Sequence, residues 1–116
     1  MIILCGHGKY GETLKNSLEM IAGKQENIYT VDFTEDMSVT DIIERYNERI
    51  AAAADGVSIY CDIPGGSPAN AALLTKKSNE GVRVFTGLNL SMLLSLVMEK
   101  DSEKSLADAK DSIKEL

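Results

Sequence analysis

The stretch Ile2–Gly11, IILCGHGKYG, decides how the rest of the chain is read. Ile2-Ile3-Leu4-Cys5 is a short continuous apolar run, the pattern of a strand buried on both faces. Glycines follow at 6, 8 and 11. Leu14, Leu18 and Ile21 then recur at helical spacing up to Gly23, a C-cap candidate. A doubly buried strand that passes through glycines into a helix is the opening of a β-α-β unit.

The alternation continues to the end of the chain. Ile28–Phe33 is rich in β-branched and aromatic residues and predicts a second strand. Ser38 opens a helix, with Asp41 three residues on as a capping-box partner, and Ile42, Ile43, Tyr46, Ile50 and Ala53 form its inner face. Val57–Cys61 predicts a third strand, Ala69 to Ser78 a helix of small residues, and Val82–Thr86 a fourth strand. An apolar helix is expected from Ser91 to about Lys100, and an exposed one from about Ser105 to Leu116. The pattern β-α-β-α-β-α-β-α-α implies an α/β fold, an open doubly wound parallel sheet with helices on both faces. Right-handed crossovers give the strand order 2-1-3-4. No linker or repeat interrupts residues 1–116, which are expected to form a single domain.

Composition narrows the partners. The formal net charge of −6 argues against nucleic acid as the main ligand, because phosphate backbones are bound by clustered Lys and Arg. Two cysteines, Cys5 and Cys61, make no disulfide framework and read as small buried side chains in a reducing cytoplasm. No apolar run approaches the ~20 residues that span a bilayer, and Met1-Ile2-Ile3-Leu4 has no basic n-region, so no secretory signal is expected.

The strand order also places the site. The chain reverses direction between strands 1 and 3, and ligands of open α/β sheets gather outside the carboxyl ends of the strands at such a reversal. The loops there are Cys5–Gly11, CGHGKYG, and Asp62–Pro68, DIPGGSP. The topology therefore brings His7, the only histidine, beside Asp62.

Three chemistries compete for these loops. Gly6, Gly8 and Gly11 satisfy the dinucleotide pattern G-x-G-x-x-G, and Asp32 follows at about 20 residues, where a ribose-binding carboxylate is expected. A chain of 116 residues has no room for a second mononucleotide half, however, and that reading leaves His7 and the second glycine loop without a role. A metal site from Cys5, His7, Cys61 and Asp62 lacks C-x-x-C spacing, and alternation along the strands turns both cysteines toward the helices. Phosphoryl transfer through a phosphohistidine uses every feature. Neutral imidazole is nucleophilic near pH 7. An aspartate can hold one ring N–H so that the other nitrogen carries the lone pair. Backbone N–H groups at helix N-termini, here Gly65, Gly66 and Ser67, can receive phosphoryl oxygens.

Gly6-His7-Gly8 after an N-terminal strand, Asp32-Phe33, the run DIPGGSPANAA from Asp62 to Ala72, and Gly87-x-Asn89-x-x-Met92 resemble a known family. It is the mannose-family enzyme IIA component of the bacterial phosphoenolpyruvate-dependent sugar phosphotransferase system. The resemblance covers most of the chain. It implies a cytoplasmic homodimer that takes a phosphoryl group on His7 from the phosphocarrier protein HPr. The group then passes to an enzyme IIB component, which serves the membrane subunits IIC and IID in sugar uptake. Asp62 would orient His7, and Gly8, Gly65, Gly66 and Ser67 would hold the phosphoryl group, with no cofactor and no metal. Where the family commonly has an aromatic residue two positions after the aspartate, this chain has Pro64. Two other functions remain open at this point. One is a phosphohistidine relay serving dihydroxyacetone kinase or transcriptional regulation. The other is a non-catalytic module that binds a nucleotide or anion.

Overall fold

The computed structural model describes residues 1–116. The elements run β1 Ile2–His7, α1 Tyr10–Ala22, β2 Ile28–Phe33, α2 Val39–Ala51, β3 Val57–Cys61, α3 Ser67–Lys77, β4 Val82–Thr86, α4 Leu90–Glu99 and α5 Ser102–Ser112. The four strands form one parallel sheet in the order β2-β1-β3-β4, with β1 paired to β2 and β3, and β3 to β4. This is the α/β architecture and strand order that the sequence pattern predicts.

Alternation along the buried strands divides the core. Ile3 and Cys5 on β1, and Ile59 and Cys61 on β3, point to the face covered by α2 and α3. Leu4 and Tyr60 point to the opposite face, under α1, α4 and α5. All six side chains are essentially inaccessible to solvent, which is why the strands read as apolar runs without alternation. On α3, Ala71 and Ala72 are fully buried, and their small size lets the helix lie close to the sheet.

Several boundaries differ from expectation for identifiable reasons. β1 does not stop at Cys5: Gly6 and His7 pair with Asp32 and Phe33 of β2, so the strand carries the histidine at its last position. Helix α3 begins two residues early, at Ser67, with Pro68 in the first turn, where a missing N–H costs nothing. Helix α5 begins at Ser102, because the Asp101 side chain accepts from the N–H groups of Glu103 and Lys104. It is not wholly exposed, since Ser105 and Ala109 are buried against α4. Ile21 lies at the exposed surface rather than on the inner face of α1, and Ala53 falls beyond the end of α2. The capping box of α2 is formed as expected: Ser38 Oγ accepts from Asp41 N–H, and the Asp41 carboxylate accepts from Ser38 N–H. Gly11 is fixed by packing. A Cβ there would lie 2.7 Å from the Leu4 carbonyl oxygen, so α1 can approach β1 this closely only with glycine.

Candidate functional site

The carboxyl ends of β1 and β3 bring His7 and Asp62 together. His7 Nδ1 lies 2.7 Å from Asp62 Oδ2, and the same oxygen accepts from the His7 backbone N–H at 3.0 Å. Asp62 Oδ1 accepts from the Ile63 N–H at 2.9 Å. Burial alone would raise the Asp62 carboxyl. Hydrogen bonds from the His7 ring, the His7 N–H and the Ile63 N–H outweigh it and hold the group below the usual carboxylate range. An ionised carboxylate can only accept, so Nδ1 must carry the proton in the neutral ring, and Nε2 holds the lone pair. The His7 side chain is 51% exposed and that of Asp62 only 11%: the carboxylate is sheltered, the ring presented.

The ring sits between two walls. On one side Phe33 meets it edge to face, with centroids 5.6 Å apart. On the other, Gly66 comes so close that a Cβ would stand 3.0 Å from His7 Cε1. Gly8 is exposed, with φ +63°, and its N–H and C=O form a two-way bridge with Phe33 at 2.7 and 3.1 Å. That bridge ties the glycine loop to the end of β2. Gly65 is exposed with φ +80°, and its carbonyl accepts from the Asn70 side chain at 3.2 Å. Gly66 and Ser67 are half-buried, at the cap and first position of α3.

Helix ends complete the geometry. Three helices have side-chain caps: α2 from Ser38, α4 from Asn89 and α5 from Asp101. The other two, α1 after Lys9 and α3 after Gly66, have none. These are the helices that follow β1 and β3 and start beside His7. Their first-turn N–H groups receive no side-chain cap, and the helix dipole at these ends favours an anion.

Sequence reasoning missed three supports. The Tyr10 hydroxyl donates to the Leu88 carbonyl at 2.6 Å and ties the first glycine loop to the loop before α4. That loop is itself anchored to the end of β3, by Gly87 N–H to the Asp62 carbonyl and Leu88 N–H to the Cys61 carbonyl. Phe33 was visible as part of a motif but not as a wall of the site. No sequence signal distinguishes these contacts, because each depends on loops that only the folded sheet brings together.

The cysteines lie inside the molecule, paired across β1 and β3. Burial pushes the Cys5 thiol up to about 12 and the Cys61 thiol up to about 11, so both stay protonated. Asp32, the candidate ribose ligand, pairs in register with Gly6 at the end of β2.

Comparison with known proteins bears on this geometry. A family model described as the PTS system fructose IIA component, EIIA-man, matches residues 1–114. The chain is 35% identical over 106 residues to the PTS system mannose-specific EIIAB component of Escherichia coli, a match covering 90% of this chain and 33% of that protein. The chain thus spans about a third of that relative's length. It is 30% identical over 98 residues to the PTS system fructose-specific EIIA component of Bacillus subtilis, covering 83% of this chain and 67% of that protein. The solved structure of phosphotransferase system component EIIA from Streptococcus agalactiae is similar with a TM-score of 0.89 at 27% identity, covering 98% of this chain and 95% of that one.

Proposed function

Because the chain belongs to the mannose-type EIIA family of the sugar phosphotransferase system, we propose that His7 is its phosphoryl carrier, charged by phospho-HPr and discharged to an enzyme IIB component. The observation that carries this reading is the 2.7 Å contact between His7 Nδ1 and Asp62, which leaves Nε2 as the free nucleophile on a half-exposed ring. Nε2 attacks the phosphorus held by the donor's phosphohistidine. The new N–P bond forms as the old one breaks, and the electron pair returns to the donor imidazole. The phosphorylated ring is cationic, and the Asp62 carboxylate stabilises that charge without taking the proton. N–H groups of Gly65, Gly66 and Ser67 receive the phosphoryl oxygens, and the Ser67 hydroxyl adds a donor, whereas the Gly8 N–H, expected from the sequence to join them, is committed to the Phe33 carbonyl. The reverse steps deliver the group to enzyme IIB, and through it to sugar entering by the membrane subunits IIC and IID.

The work lies in positioning and electrostatics, which suits a transfer with little covalent demand on the protein. The family resemblance supports a cytoplasmic homodimer built from one such domain per subunit. No helix is long and apolar enough to cross a membrane. Mixing the protein with phosphorylated HPr and measuring intact mass tests the proposal. One acid-labile phosphate, ~80 Da, is expected on wild type and none on His7→Ala. Absence of transfer to wild type at micromolar protein would sink it.

A further inference from the structure

Tyr46, on α2, is fully buried and touches no part of the crevice, yet its hydroxyl contacts the segments that build it. It donates to the Pro68 carbonyl, in the first turn of α3, at 3.0 Å. It lies 3.7 Å from Cys61 Sγ, one residue before Asp62. The hydroxyl has a single proton, committed to Pro68, so the Cys61 thiol is the donor in the second contact. Burial holds that thiol protonated, as this arrangement requires. We infer that Tyr46 is a positioning residue for phosphoryl transfer: its hydroxyl sets the first turn of α3, and with it Gly66 and Ser67, against the β3 end that carries Asp62. The inference rests on the phosphocarrier reading.

The geometry makes such a strut consequential. Gly66 stands at contact distance from the His7 ring, so a small shift of the α3 N-terminus alters the space beside the imidazole and the aim of the N–H groups. Displacements near 1 Å at a reacting centre can cost about 10²-fold in rate. Ring packing alone would not need the hydroxyl, because the Tyr46 ring already fills the core beneath α2 and α3.

Tyr46→Phe keeps the ring and removes the strut. It is compared with Ile59→Val, a buried change in the same core cluster that removes no hydrogen bond. Two quantities are read. One is hydrogen exchange of the Asn70 amide, which donates to the Gly66 carbonyl at 2.9 Å and so reports the first turn of α3. The other is the rate of phosphorylation by phospho-HPr. For Tyr46→Phe, exchange at Asn70 is expected to accelerate about 10-fold, and kcat to fall about 10-fold with KM unchanged. Ile59→Val should show neither. A Tyr46→Phe protein that matches wild type in both, that changes only as Ile59→Val does, or that fails to fold overturns the inference. Wild type that takes no phosphate would remove the phosphocarrier reading, and the role in transfer with it, while Asn70 exchange would still decide whether the hydroxyl braces the first turn of α3.

Discussion

Gly66 stands where any larger residue would strike His7: its absent Cβ would lie 3.0 Å from the ring's Cε1. The backbone there, φ −79° and ψ 165°, is open to every amino acid, so glycine is kept for the space and not for the turn. Gly66→Ala is therefore expected to leave urea stability within about 0.5 kcal/mol of wild type. It should slow His7 phosphorylation by about 10-fold or more, because the imidazole must shift. Equal rates for mutant and wild type would show that the ring does not react from this position.

Asp62→Asn is expected to slow transfer by about two orders of magnitude with the fold intact. The carboxylate accepts from three N–H groups, and an amide cannot replace both of its oxygens. Either the His7 ring loses its acceptor or a backbone donor does. Stopped transfer assays with phospho-HPr measure this, and a mutant as fast as wild type would remove Asp62 from the mechanism.

The same hydrogen bonds give a pH signature. The folded state holds the Asp62 carboxyl below its unfolded value, so the unfolded chain takes up the proton first as pH falls. The stabilisation is fully present above the unfolded value of about 4 and is lost as pH drops through the lower folded value. Urea unfolding between pH 6 and pH 2 should show this loss in wild type and a shallower acid limb in Asp62→Asn. Parallel acid limbs would contradict it.

Gly11→Ala separates structural glycines from those at the site. The new Cβ would meet the Leu4 carbonyl oxygen at 2.7 Å, a backbone atom that cannot rotate away. A loss of about 1–3 kcal/mol is expected in urea unfolding. Gly8→Ala has open space around it and only its φ of +63° to resist, so it should cost about 1 kcal/mol. The reverse order would mean that α1 does not rest on β1 as described.

Much of this architecture was legible because β1 and β3 are buried on both faces and announce themselves as apolar runs. Once four such runs alternate with helical spacing, crossover handedness leaves few sheet orders, and the order brings His7 to Asp62. The limits were contacts between distant segments. Nothing in Gly6-His7 says that it pairs with Asp32-Phe33, so β1 reads two residues short. The Phe33 wall, the Tyr10 tie to Leu88 and the Tyr46 bond to Pro68 were hidden for the same reason. The early start of α5 is different: Asp101 before Ser-Glu-Lys is a cap signal carried by the sequence itself. Gly11 matches a dinucleotide pattern, yet its role is the close approach of helix to strand.

The central claim is that Asp62 holds Nδ1 and leaves Nε2 to take the phosphoryl group. Nitrogen and phosphorus NMR of the protein phosphorylated by phospho-HPr tests it most directly. A single phosphohistidine at His7, bonded through Nε2 and with Nδ1 still protonated, is the expected result. Phosphate on Nδ1, or on a residue other than His7, would contradict it.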